Sequence, residues 1–502
     1  MYHQDLFELL NNLSSNENRE LTFLLKDRKK QNTYTKKLIF YLLSLNELPK
    51  NREVYENIYE GGEPFSNEAY EKIILRATYE VYEALNNFIQ KDTDGFDEID
   101  IAKIKIHQQA ATLQYFKAKG SKIKLIDKLR EEIIQKAIEF EYYAIVIDLL
   151  TYKKYELALT KGEKSYHEIA KIITHYEKCE KAVKNSADLF YILKIEARQT
   201  SVHERKKYED LLLKHIKILI MDFKFSNSPT VNYYLFQHQL SLFYLKESYN
   251  EAKQKCLKLL TLVHDNRSIK RNARMGVIYD NLVKCEIYLN NYEQALIWSK
   301  YAKSKSGHHS RNYWISLEQE FLCNFYLNDI AKAEKILNKI FIKQKKDQSL
   351  FERDTINFYK AILFVKKGEF ENALTIFKER GEISKDLVGW DFWKRIMTIY
   401  MNLLLGKEDM ASPAVVSLKK QMHRIKKHIS FRQRDQIVFN IIMELYRKGF
   451  SPYQSNPKVN LQLCKLKEIE NRWKPFNAEL IPFEELLKIR FKKLSAEKQL
   501  TG

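Results

Sequence analysis

The densest run of ionisable side chains is Lys419-Lys420-Gln421-Met422-His423-Arg424-Ile425-Lys426-Lys427-His428, continuing to Arg432 and Arg434. Seven cations fall between residues 419 and 434, with no carboxylate before Asp435. Cations at this density can neutralise several phosphates and give salt-dependent, largely sequence-blind binding to a nucleic-acid backbone. On a helix, Leu418, Met422 and Ile425 share one inward face, while Lys419, Lys420, Arg424 and Lys427 spread over the outer surface. The same pattern also describes a solvated helix face whose cations sit favourably near its C-terminus.

Other chemistries fail on residue type or spacing. The sequence holds no phosphate-binding glycine loop, dinucleotide fingerprint or nucleophile elbow, and thirteen glycines leave little room for one. His167-Glu168 and His203-Glu204 begin a zinc-protease pattern, but Lys171 and Lys207 stand where the second histidine is required. His308-His309 reads as part of a basic loop. Asp92-Thr93-Asp94-Gly95-Phe96-Asp97-Glu98 mimics the start of a calcium loop, yet Lys103 replaces the closing bidentate glutamate. Cys179, Cys256, Cys285, Cys323 and Cys464 are odd in number, far apart and without metal-ligand spacing, so neither a disulfide framework nor a zinc site is indicated. Enzyme activity has no support in these residues, and no catalytic residue, cofactor or metal is expected.

The elements that carry these residues are helices. Gly (13) and Pro (8) are too scarce in 502 residues for a turn-rich β protein. No apolar run approaches the ~18 residues of a membrane span, and the N-terminus lacks a secretory pattern. A cytoplasmic protein with no membrane partner is expected. The net charge of +20 is unevenly placed. Residues 1–100 carry 12 Lys and Arg against 19 Asp and Glu, whereas residues 401–502 carry 20 against 10. A basic body favours an anionic partner, either nucleic acid or an acidic protein; a Lys- and Asn-rich composition throughout would also produce it.

Periodicity predicts an acidic helical domain over 1–95, in which Ser66 caps a helix running to about Ile89. Helix pairs without a clear motif follow over 96–230, and one turn is expected at Thr151-Tyr152-Lys153-Lys154 ahead of Tyr155 and Ala158. The clearest pattern is Lys366-Lys367-Gly368-Glu369-Phe370-Glu371-Asn372-Ala373-Leu374. Weaker copies stand at Lys246–Ala252, Asn290–Leu296 and Leu327–Ala333. Each is a polar turn, a large apolar or aromatic residue, and an alanine three positions later. The aromatic seats the second helix and the alanine lets two helices approach. These alanines, at 252, 295, 333 and 373, recur at intervals of 43, 38 and 40. Ser412 and Pro413 suit the start of a later helix, and a basic helical cap is expected over 451–502.

Residues 231–450 resemble the tetratricopeptide repeat (TPR) family. Tyr279, Leu282, Tyr292, Ala295 and Ala302 carry the resemblance in one repeat, and Gly368, Phe370, Ala373 and Phe377 in another. The period departs from the family's 34 residues. The chain is also similar to long TPR-like proteins of Bacteroidetes-type bacteria. The resemblance implies an all-α, TPR-like α-solenoid of antiparallel helix pairs, preceded by the small N-terminal domain. It further implies a partner-binding groove lined by Gln237, Ser241, Tyr244, Asp280, Lys284, Tyr288, Phe358, Ile362 and Val365. That lining suits an extended peptide of acidic character, and hence a non-enzymatic protein-binding scaffold or adaptor. The alternatives are a nucleic-acid-associated helical-repeat protein that uses 419–434, and a TPR-type regulator.

Overall fold

The computed structural model describes the chain apart from residues 1–2, 12, 14, 28–32, 46, 60–65, 89–95, 120–123, 200–204, 308–309, 344–349, 380–388, 426–431, 452–455 and 491–502. All regular structure among the described residues is helical. The chain divides into two compact units, Met1–Phe96 and Asp97–Gly502.

The first unit holds α1 (Gln4–Asn11), α2 (Ser15–Asp27), α3 (Thr33–Leu43), α4 (Asn51–Tyr59) and α5 (Asn67–Phe88). Leu6, Leu10, Leu38, Ile39, Tyr55 and Tyr70 form its core. Ser66 Oγ accepts the Ala69 amide at 3.4 Å, as an N-cap residue does. His3 bridges the unit: its Nδ1 lies 2.9 Å from the Tyr70 hydroxyl and its Nε2 2.8 Å from the Pro49 carbonyl. Burial favours the neutral ring and lowers its pKa.

The second unit begins with α6 (Glu98–Ala118), α7 (Lys124–Glu139), α8 (Tyr143–Lys161), the 37-residue α9 (Glu163–Gln199) and α10 (Arg205–Ser226). Helix pairs follow: α11 (Pro229–Leu245) with α12 (Tyr249–Asp265), α13 (Asn272–Tyr288) with α14 (Tyr292–Lys305), and α15 (Arg311–Tyr326) with α16 (Ile330–Lys343). Then come α17 (Leu350–Lys367) with α18 (Phe370–Lys378), α19 (Trp390–Leu404) with α20 (Glu408–Ile425), and α21 (Gln433–Arg447) with α22 (Pro457–Lys467). This is the TPR-like all-α solenoid that the repeats predict.

One device closes the first helix of each pair. Glu247, Asn290, Asn328, Gly368 and Gly406 all have positive φ, between 58° and 79°. The residue after each returns its amide to a carbonyl five positions back: Ser248 to Phe243, Asn291 to Glu286, Asp329 to Asn324, Glu369 to Phe364 and Lys407 to Asn402, at 2.8–2.9 Å. This left-handed cap satisfies carbonyls that the helix end would orphan. The four alanines that follow, at 252, 295, 333 and 373, are fully buried where the helices meet.

Two sequence expectations fail here. Thr151–Lys154 makes no turn, because α8 runs unbroken through it. None of those residues favours left-handed backbone, and the turn sits earlier, at Glu141 (φ 54°). Similarly, α20 starts at Glu408, which leaves Pro413 inside it. Ser412 Oγ therefore donates back to the Glu408 carbonyl (3.2 Å) and caps nothing.

The chain also returns on itself. Asp97 Oδ1 accepts the Asn272 amide (3.0 Å), Glu98 pairs with Arg267 (2.5 Å) and Asp100 with Arg271 (2.6 Å). The described acids of the calcium-like segment thus anchor α6 to the start of α13.

A cationic, tyrosine-walled candidate site

Helices α9, α10, α11 and α13 enclose a half-open cavity of about 580 Å³. From α11 come Tyr233, Tyr234, Gln237, Leu240, Ser241, Tyr244 and Leu245; from α13 come Arg274, Val277, Asn281 and Lys284. Both sets recur at spacings of three and four, so each is one face of its helix. The long α9 adds Phe190, Tyr191 and Lys194, and α10 adds Tyr208. Among the described residues, no carboxylate lines the cavity.

Each of its three cations rests on an aromatic face. Lys284 Nζ lies 4.4 Å from the Tyr244 ring centroid, the Arg274 guanidinium 4.7 Å from that of Tyr233, and Lys194 Nζ 5.1 Å from that of Phe190. A ring face orients a cation without cancelling its charge. Among the described residues no carboxylate forms an ion pair with Lys284 or Arg274; the Arg274 Nη1 donates only to the Ile269 carbonyl (3.2 Å). Burial lowers the Lys284 pKa, and the nearby Lys194 charge adds to the effect. An incoming anion would relieve that penalty.

The polar groups are placed by their own helices. Tyr244 Oη donates to Asn281, with oxygens at 3.1 and 3.2 Å, and lies 3.4 Å from Cys285 Sγ. Asn281 Nδ2 is occupied by the Val277 carbonyl at 2.9 Å. Gln237 is only 7% exposed, and among the described residues its Nε2 meets no partner in good hydrogen-bond geometry. It is close enough to Tyr233 to moderate that phenol, whose pKa burial pushes up to about 12. A buried amide donor left open is costly unless something binds it.

Gln237, Ser241, Tyr244 and Lys284 are thus brought together, and the other groove candidates are not. Asp280 is buried between α13 and α15, where its Oδ1 accepts the Ser316 hydroxyl at 2.6 Å. Phe358 is 3% exposed and packs edge-on against Phe377 and Trp390. Ile362 and Val365 belong to the same buried core as Leu480, Ile481, Phe483, Leu486 and Leu487. Tyr288 stacks on Tyr249 (4.1 Å between centroids) and meets Phe476 at 5.5 Å.

The physical reason is a return of the C-terminal segment across the first helices. Lys474 pairs with Glu247 just past α11, Phe476 meets Tyr288 of α13, and Trp473 meets Tyr326 of α15 at 5.5 Å. Glu485 pairs with Lys366 of α17 (2.8 Å), and Phe483 packs on Tyr400 of α19 at 5.6 Å. The chain itself occupies this stretch, and the cavity at α9–α13 remains open beyond it.

The basic run does not form one surface patch. Lys419, Lys420 and Arg424 are exposed on α20. Arg432 pairs with the buried Asp435 (2.7 Å). Arg434 is itself buried, with both ends of its fork on Glu479 at 2.6 Å, a third bond to Glu484 at 2.6 Å and Nη1 on the Asn471 carbonyl at 2.8 Å. Its charge is spent holding the C-terminal segment. Asp92, Asp94, His203, Glu204, His308, His309, Lys426 and Lys427 lie outside the described residues. Cys285 and Cys323 are fully buried and Cys464 is exposed.

Sequence reasoning missed Lys194, Tyr208 and Arg274. Arg274 sits in a cluster whose neighbours Arg267 and Arg271 are ion-paired, so charge density alone does not separate it. The available signal was its spacing of ten residues from Lys284 on one helix face.

No family model and no curated protein matches the chain. Among solved structures, a tetratricopeptide repeat protein from Parabacteroides merdae is similar at 15% identity and TM-score 0.37, covering 62% of this chain and 98% of that one. A signal-transduction ATPase with numerous domains and a tetratricopeptide repeat sensor, from Pyrococcus horikoshii, is similar at 16% identity and TM-score 0.29, over 96% of this chain and 66% of that one. Scores this low carry no weight for function, and the TPR-like character rests on the repeated helix pairs and their shared caps. Among the described residues, no helix is long and apolar enough to cross a membrane.

Proposed function

We propose that this chain is a non-enzymatic scaffold that receives an acidic segment of a protein partner in the cavity between α9, α10, α11 and α13. The observation that carries this reading is the pair Lys284 and Arg274, both held on aromatic faces and neither paired with a carboxylate among the described residues. Cations placed in this way favour a partner of opposite sign. The tyrosine walls add contact area at small entropic cost, as at protein-binding surfaces generally. The nucleic-acid reading through 419–434 is the weaker one, because Arg432 and Arg434 are engaged internally.

Fluorescence anisotropy of labelled Asp- and Glu-rich peptides against neutral ones tests it. Acidic peptides should bind more tightly, and Arg274→Gln and Lys284→Gln should each weaken them about tenfold. Lys419→Gln should leave them unchanged. Binding that ignores the cavity substitutions would remove this reading.

A further inference from the structure

Arg274 and Lys284 are too far apart to share one anionic group. They stand ten residues apart on the cavity face of α13. At 1.5 Å of rise per residue, their stems leave the helix about 15 Å from each other. Each is then fixed close to where it starts, Arg274 on the Tyr233 ring at 4.7 Å and Lys284 on the Tyr244 ring at 4.4 Å. Those rings leave α11 eleven residues apart, about 16 Å along that helix. The earlier cation meets the earlier ring, so α11 and α13 run in the same direction and both helices hold one spacing. A single carboxylate cannot bridge it.

Between the two cations the lining is apolar or already engaged. Val277 and Leu240 are aliphatic. Asn281 Nδ2 donates to the Val277 carbonyl at 2.9 Å, and its Oδ1 accepts the Tyr244 hydroxyl at 3.2 Å. The Ser241 hydroxyl donates to the Gln237 carbonyl at 3.1 Å.

Backbone geometry then sets the matching ligand. In an extended chain the side chains alternate between two faces, so only even separations put two acids on one side. Separations of two, four and six residues span about 7, 13 and 20 Å. Four fits, two falls short and six overshoots. A helical ligand would need acids eleven residues apart, three full turns along it, and a helix that short is marginal before it binds.

We propose that this cavity selects by spacing. It binds an extended segment with acidic side chains at positions i and i+4, one on Arg274 and one on Lys284, and an apolar side chain at i+2 against Val277 and Leu240. The inference rests on the scaffold reading for the class of partner and adds the pattern that the partner must carry.

Anisotropy of labelled seven-residue peptides with the full chain tests it. Each peptide contains two glutamates, one valine and four serines, so charge and composition are constant and only the order changes. Glutamates at i and i+4 around a central valine should bind about tenfold tighter than adjacent glutamates or glutamates at i and i+3. Attraction to a basic surface alone would not distinguish these orders. Arg274→Gln and Lys284→Gln should each abolish the preference, leaving every order to bind like a peptide with one glutamate. Lys284→Arg keeps the charge and should keep the preference, which separates a lost contact from a damaged fold. Equal affinity for all orders overturns the spacing rule and leaves the scaffold reading standing, whereas failure of every acidic peptide removes both. Tighter binding by a helical peptide with glutamates eleven residues apart also overturns it.

Discussion

Lys284 lies over the ring of Tyr244 at 4.4 Å, and the hydroxyl of that ring is tied back to Asn281, three residues before Lys284 on the same helix. The phenol is thereby a fixed platform, and the ammonium group gains orientation without gaining a counter-charge among the described residues. Holding a half-buried cation unpaired costs stability, and such costs concentrate where a ligand is to be met.

Replacing Lys284 with methionine should therefore raise stability by on the order of 1 kcal/mol while removing anion binding, because a similar volume is kept and a desolvated charge is lost. Urea unfolding together with peptide anisotropy reads both effects. A variant less stable than the parent would show that Lys284 is a structural residue.

Arg434→Ala should be severe. It strands Glu479, which is 1% exposed, and breaks five bonds to the returning segment. Removing one partner of a buried ion pair costs about 3–5 kcal/mol. Chemical denaturation should show that loss, with little change for Lys419→Ala on the exposed face of α20.

Gly368 has φ 79° and open space where a Cβ would stand. Gly368→Ala should then cost about 1 kcal/mol from backbone strain alone. Asn290→Gly, at the equivalent turn, should cost little or stabilise slightly. Thermal melts of the two variants compare the same cap from opposite directions.

Asp280 supplies a pH dependence. Burial raises its carboxyl to about 7, and the Ser316 hydroxyl offsets only part of that. The native state binds more protons than the unfolded chain between about pH 4 and 7, so this group makes stability fall as pH rises through that window. The contribution is at most about 4 kcal/mol. Asp280→Asn should flatten the slope, and unfolding free energies at pH 5 and pH 8 will show whether it does.

The repeats were legible because their physics is local. A left-handed residue, an aromatic and an alanine lie within a few positions, as at Gly368, Phe370 and Ala373. Gln237, Ser241, Tyr244 and Lys284 were reachable too, through the TPR resemblance, whose register puts them on the groove face of α11 and α13. Lys194 was not, because α9 has no motif to fix its register. Arg434 looked like surface charge because its acids stand 45 and 50 residues further on. Ile362 and Val365 looked like groove lining because the TPR resemblance describes the repeat by itself and cannot see a distant segment lying across it.

That returning segment changes what kind of object the repeat array is. A linear stack frays from its ends, since each unit touches only its neighbours. Here Lys474 and Glu247, 227 residues apart, belong to one contact line that also crosses α13, α15, α17 and α19. The line acts as a drawstring: the repeats it crosses must loosen together, and none of them is finished until residues 473–485 have been made. Hydrogen exchange should accordingly find one cooperative block across α11–α19 in the full chain, and a graded one after truncation at Gly449.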